Sequence, residues 1–318
     1  MDAGSPPERL QYFRANHGRF LQDFVIAGTP VLTMKTGVDE LVTLTFEPAR
    51  EGVLSWNSFT ESGTISFRLL RAQSAATPWL DYAQWSAEGR QSFSPAHDDV
   101  NVQVDVIRAA QPFDGIEVRA RGVEFKAVAF ASPVRTAPSL PYLGDARILD
   151  VPARSQYVQQ EQRGWCSAAS LSMLNAYHGL DYDVEATAAA VFDRAYQGTG
   201  NWTFNVAFSG SLGLRAAVVY LRNLDHAARL TGIGMPLAIS YSWKQGELPG
   251  APLEHSDGHL AVLCGFTANG DCAMNDPAAP HVRVVYPRAA LERIWQRNAG
   301  VAYAVAPVGI DYLPIVNS

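Results

Sequence analysis

Residues Gln156–Tyr177 read Gln-Tyr-Val-Gln-Gln-Glu-Gln-Arg-Gly-Trp-Cys-Ser-Ala-Ala-Ser-Leu-Ser-Met-Leu-Asn-Ala-Tyr. A polar, glutamine-rich stretch runs into Gly164-Trp165 and then turns helical in texture. Ala168, Leu171, Leu174 and Ala176 recur near helical spacing, and His178-Gly179 supplies a stop. The spacing predicts a helix whose first turn holds Cys166. Free amides and the positive end of the helix dipole favour a thiolate there. Ser167, Ala168, Ala169 and Ser170 are small and leave room for close packing. A cysteine in an apolar helix is more often a small buried hydrophobe, so position alone does not make Cys166 a nucleophile.

Working outward, the partners such a nucleophile needs lie downstream. Gly258-His259 opens an apolar run through Phe266, followed by Asn269-Gly270, a hairpin signal, and then by Cys272-Ala-Met-Asn275-Asp276-Pro277. His259 and Asp276 would share a face of adjacent strands. A strict two-residue Asn-Gly turn leaves them four positions apart along the ladder, so a longer loop or a bulge is required to bring them together. The chemistry is a histidine that takes the thiol proton and a carboxylate that fixes its tautomer. A lone strand histidine is usually a core residue and an Asp before Pro a turn former; the order Cys, His, Asp is more specific.

From about Val151 to Pro307 the chain resembles the bacteriocin-processing, double-glycine-leader type cysteine peptidases, and especially their stand-alone relatives with a papain-like fold. The resemblance rests on Val151-Pro152 with Ser155-Gln156, on Trp165-Cys166, on Gly258-His259 and on Asn275-Asp276-Pro277. Gly198-Thr199-Gly200-Asn201-Trp202, Gly232-Ile-Gly-Met-Pro236 and Val284-Val-Tyr286 extend it. It implies Cys166 as nucleophile, His259 as general base, Asp276 as its orienter, and an upstream glutamine as oxyanion donor beside the Cys166 amide. Gln156 is the chosen glutamine, with Gln159, Gln160 and Gln162 as competitors. Where the family commonly has Gly-Pro after the nucleophile, this chain has Ser167-Ala168. Trp165, Asn201 and Trp202 would line the substrate channel. The implied activity needs no cofactor and acts on a peptide or protein. This chain carries no transporter segment, so leader processing is not assumed.

Around this core the order is α+β: helices at Val184–Phe192, over Arg215–Leu224 and over Asp225–Leu230, a strand at Pro236–Tyr241, and a long polar rim at Ser242–Gly258. Strands at Val282–Tyr286 and Val301–Val305 flank a helix at Leu291–Gln296. Residues 133–150 are Pro-rich and read as a linker. Before them, from residue 23 to 132, short alternating runs predict an all-β sandwich, jelly-roll-like, with Val100–Val106 the cleanest strand. Trp56, Trp79 and Trp85 are candidates for a carbohydrate or cell-wall polymer platform, though core packing is their commoner role. Residues 1–22 read as a flexible segment with a short helix over Arg9–Arg14. The expected organisation is therefore 1–22, 23–132, 133–150 and a peptidase domain at 151–318.

The chain has 318 residues, 47% hydrophobic and 18% charged, with a net charge of −6. That is globular, with no basic footprint for nucleic acid. No apolar run is long enough to span a membrane, and no signal pattern opens the chain, so either it stays in the cytoplasm or a leader lies outside it, and localisation stays open. Three cysteines form no disulfide framework, and Cys264 and Cys272 fall on opposite faces of the hairpin. Two rival functions compete with the hydrolase. Alternating His255, Asp257 and His259, with His281, suggest zinc, which the loop-like context disfavours. The other is a non-catalytic binding protein with a degenerate peptidase-like domain.

Overall fold

The computed structural model describes residues 32–36, 39–60, 62–140, 146–158 and 164–317. The expected helix at Arg9–Arg14 and the opening segment lie outside them. The first half contains strands β1 (Leu32–Thr36), β2 (Asp39–Ser58), β3 (Ser62–Arg71), β4 (Ser74–Ala75), β5 (Leu80–Ser86), β6 (Gln91–Ser92), β7 (Ala96–His97), β8 (Val100–Gln103), β9 (Val106–Arg121) and β10 (Phe125–Ala131). They form one antiparallel sheet in the order β1-β2-β9-β3-β5-β6, with β10 on β2, β4 on β3, and β7-β8 joining at β9. Register shifts near Ala49 break the pairing of β2 with β9, so each end of these long strands meets different neighbours. The stretch expected as a single strand at Val100–Val106 is a hairpin instead. Gln103 pairs with Val106 across a two-residue turn at Val104-Asp105. Alternation of apolar residues continues through that turn and hides it.

The second half holds β11 (Arg147–Ile148), α1 (Cys166–Tyr177), α2 (Val184–Val191), α3 (Trp202–Ser211), β12 (Arg215–Tyr220), α4 (Leu224–Gly232), β13 (Leu237–Trp243), β14 (Ser256–Phe266), β15 (Cys272–Asn275), β16 (Arg283–Tyr286), α5 (Arg288–Arg297), β17 (Val301–Ala306) and α6 (Leu313–Val316). Its sheet is antiparallel in the order β12-β17-β13-β14-β15-β16, with β11 on β14. Helix α1 packs on β13 and β14. The helices-then-sheet order matches expectation, with one correction: Arg215–Tyr220 is a strand, not a helix. Arginine and alanine favour helix, yet all six residues are buried and pair with β17, so packing overrides local propensity. Helix α3 falls in a stretch for which no helix was expected.

The two sheets share one apolar core, and α3 is the seam. Phe204 packs edge-on to Trp56 and tilted against Trp85, at 6.3 and 5.8 Å between ring centroids. Asn57 donates to the Ala216 carbonyl at 2.8 Å and accepts from the Ala216 amide at 3.1 Å. Thr203 Oγ1 donates to Leu54 O at 2.9 Å and Lys126 Nζ to Gly210 O at 2.9 Å. A Cβ on Gly210 would sit 2.4 Å from the Asn57 side chain, so this contact requires glycine. Trp56 and Trp85 are buried, so neither forms a sugar platform; Arg68 and Arg119 lie over the ring of Trp79. Residues 139 and 140 of the Pro-rich stretch are tethered. Ser139 Oγ donates to Glu292 at 2.8 Å, and Leu140 N to Asp225 at 2.9 Å. Among the described residues no helix is long and apolar enough to cross a membrane.

Candidate active site

Helix α1 begins at Cys166, after Trp165, which holds the cap position without a side-chain bond. Cys166 is partly exposed while the helix behind it is buried, from Ser167 to Asn175. Ser167, which replaces the family's glycine, binds Asn205 Oδ1 at 3.1 Å and Tyr303 Oη at 3.0 Å. Its hydroxyl thereby anchors the first turn of α1 to α3 and β17.

His259 stands where β14 passes from exposed to buried, opposite Tyr241 on β13. The expected offset from Asp276 is narrowed from four positions to two by two local devices. Thr267 N bonds Asp271 O at 2.9 Å, closing a three-residue turn at 268–270, and a register shift falls between Leu263 and Gly265. Val262 then faces Asn275, and Asp276 follows directly. His259 Nε2 meets Asp276 Oδ1 at 2.8 Å, which leaves Nδ1 for Cys166, to which the ring is also hydrogen-bonded.

Asp276 is fully buried. Its Oδ2 accepts from Tyr286 Oη at 2.7 Å and Tyr241 Oη at 3.3 Å, and its Oδ1 from the Ala278 amide at 2.9 Å. Tyr241 and Trp243 place ring edges against His259, each 5.5 Å between centroids, screening the pair from water. The two tyrosines were missed by sequence reading. The pairing of Tyr241 with His259 was legible in principle from alternation; nothing in the sequence marked Tyr286 as a partner.

The electrostatics are coupled. Burial pushes the Cys166 thiol up, but the hydrogen bond and charge of His259, with backbone bonds at Leu260 and Ser167, bring it below the ordinary thiol value. Burial alone would lower His259; the hydrogen bonds to Asp276 and Cys166 and their charges raise it well above the usual imidazole range. For Asp276, burial opposes ionisation, and the bonds from His259, Tyr286 and Ala278 overcome it to hold the carboxyl low. By contrast burial pushes Cys264 up to about 12, and Cys272 also rises. Both of these are free and buried.

A cavity of about 640 Å³ opens on Cys166 and His259. Trp165 and Trp202 line it; Asn201 does not. Asn201 caps α3, accepting from the Phe204 amide at 3.1 Å, and donates to Asp193 at 2.9 Å. Gln156 is also outside the cavity wall. Its backbone N–H donates to Pro277 O at 2.9 Å, and its buried side-chain Oε1 lacks a partner among the described residues. Gln159, Gln160 and Gln162 lie outside the described residues. Strand β8, the following turn and β9 complete the wall with Gln103, Val104, Asp105, Val106 and Arg108. Among the described residues no group of three or more His, Cys, Asp or Glu side chains is arranged to hold a metal.

Residues 148–303 match the Peptidase_C39 like family. The C39-like match covers the span from β11 into β17, including Cys166, His259 and Asp276, and agrees with the resemblance carried by those residues. Two solved structures are similar. A putative C39-like peptidase from Bacillus anthracis shares 16% identity, covers 51% of this chain and 98% of its own, and gives a TM-score of 0.40. A double glycine motif protease from an AMS/PCAT transporter, solved with a leader peptide, shares 20% identity over 51% of this chain and 95% of its own, with a TM-score of 0.36. No curated protein matches the chain.

Proposed function

We propose that the protein is a thiol-dependent hydrolase, a cysteine peptidase or amidase acting on a peptide or protein. The observation that carries this reading is the hydrogen bond of His259 to buried Asp276 beside Cys166, whose thiol the histidine lowers, at the wall of an open cavity. Cys166 Sγ, as thiolate, attacks the substrate carbonyl carbon, and His259 carries the thiol proton. Asp276 holds the ring in the tautomer that faces the sulfur. As the tetrahedral intermediate collapses, the imidazolium gives its proton to the leaving amine and an acyl-enzyme remains. Water, deprotonated by His259, then releases the acid and restores the thiol. The Cys166 amide, at the start of α1, is one oxyanion donor by position. Gln156 is proposed as the second, on the family resemblance alone; its backbone stays bonded to Pro277, and its side-chain amide would have to turn toward the cavity.

The organisation that goes with this reading is a β-sandwich domain at 23–132, a linker at 133–150 and a papain-like domain at 151–318. Support comes from the separate hydrogen bonding of the two sheets. The test is release of new amino termini from a mixture of synthetic peptides. The wild type should cleave, while Cys166→Ala and His259→Ala should lose at least about a hundredfold in rate. Cleavage that survives Cys166→Ala would reject the mechanism.

A further inference from the structure

Val104 stands where a hairpin ordinarily carries glycine. The turn between β8 and β9 has two central residues, and φ is +60° at Val104 alone of the two. That is the pattern of a type II′ turn, whose first central position favours glycine. For a β-branched residue a positive φ is a steric outlier, and such strain persists only where surrounding contacts impose it. Those contacts fall on its neighbours. Tyr82 Oη donates to the Asp105 carbonyl at 2.6 Å, and the Trp202 amide donates to the Asp105 carboxylate. Arg108 Nη1 donates to Gln103 Oε1 at 2.6 Å and its Nε to Glu51 at 3.1 Å. The valine itself packs on no part of the apolar core; its neighbour Val106 does.

What Val104 lines is the cavity that reaches Cys166. Phe192 and Tyr196, 38% and 50% exposed, line it too, together with Trp202. The segment 199–202 is bonded on both sides: the Trp202 amide donates to Asp105 in the turn, and Thr199 Oγ1 donates to Gly164 O at 3.3 Å, two residues before Cys166. An apolar side chain kept in a strained turn, outside the core and on the wall of the same cavity as exposed Phe192 and Tyr196, has no packing role to account for it. We propose that Val104 is a specificity-determining residue. With Phe192, Tyr196 and Trp202 it forms an apolar subsite for an aliphatic or aromatic side chain of the peptide presented to Cys166. The inference rests on the reading of Cys166 as the nucleophile. It adds that the sheet outside residues 148–303 supplies part of the substrate site, rather than serving only as an appended module.

The test uses N-substituted chloroacetamides carrying methyl, isoamyl or phenethyl groups, with the labelling rate of Cys166 followed by mass spectrometry. In the wild type the two larger reagents should label roughly tenfold faster than the methyl reagent, the discrimination that a few buried carbons supply. Val104→Gly and Val104→Asn should each reduce that ratio about fivefold or more. Val104→Gly should also keep or raise the melting temperature, because it relieves the turn. A wild-type ratio near one, or a ratio unchanged in both variants, overturns the subsite. If instead the methyl reagent labels Cys166 no faster than Cys264, it is the nucleophile reading that fails.

Discussion

His259 Nε2 lies 2.8 Å from Asp276 Oδ1, although a tight Asn-Gly hairpin would hold these residues four positions apart. The three-residue turn closed by Thr267 and Asp271 shifts the ladder by one, and the irregularity between Leu263 and Gly265 shifts it by one more. Asp276 then leaves the ladder, its amide bonding Val282 O at 2.7 Å. These two devices remove two of the four positions, and the side chains of His259 and Asp276 span the remaining two along one face of the sheet, away from the reacting thiol.

Gly265 is the residue that permits the second device. Its φ is +143°, and a Cβ there would lie 1.9 Å from the Arg147 carbonyl oxygen on β11. Gly265→Ala is expected to cost about 1–3 kcal/mol from the backbone alone. The clash adds to this, and the change should slow Cys166 alkylation by displacing His259 from Asp276. Urea unfolding and the alkylation rate check both.

Tyr286 touches Asp276 but lines no part of the cavity. Tyr286→Phe removes a hydrogen bond to a charged oxygen, worth about 1.5–3 kcal/mol. The Asp276 carboxyl should then titrate higher, and below its new value the imidazolium loses its counter-ion and Cys166 its charged partner. The expected result is roughly a tenfold fall in kcat with KM unchanged and the acid limb of the pH profile moved up. An equal loss at every pH would mean that the tyrosine only packs.

How much of this was legible before folding depended on whether the signal was local. The start of α1 at Cys166 follows from composition alone, and the order Cys, His, Asp named the residues that the structure joins. The meeting of His259 with Asp276 needed a bulge, and the sequence showed only that one was required. Arg215–Tyr220 was misread because its side chains suit a helix; its strand state comes from β17, more than eighty residues away. Val104 was hidden for a related reason, since a valine in an alternating run reads as strand. Asn201 looked like a channel residue from its loop, yet its side chain is spent on the α3 cap and Asp193.

Asp105 gives a pH signature to the seam between the sheets. Burial raises its carboxyl to about 7, against backbone bonds from Trp202 and Thr203, with Asp193 adding repulsion. Between about pH 4 and 7 the folded protein therefore keeps a proton that the unfolded chain has released, and this group's contribution to stability falls as pH rises. Asp105→Asn, which can still accept the Trp202 amide, should gain on the wild type by up to about 4 kcal/mol at pH 8. The difference should vanish near pH 4. Denaturant unfolding at both pH values measures it.

The ion pair between Cys166 and His259 sets the working range. The thiol is lowered and the imidazolium raised, so the reactive pair exists between the two: it forms as pH rises through the thiol value and is lost above the histidine value. The most direct measurement is the iodoacetamide rate at each cysteine across pH 4–9, in wild type and His259→Ala. Cys166 should react fastest, already well below the ordinary thiol value of about 8.5, while buried Cys264 and Cys272 lag. Loss of the histidine should move the Cys166 profile upward. A Cys166 that titrates like a free thiol and ignores His259→Ala would contradict the account.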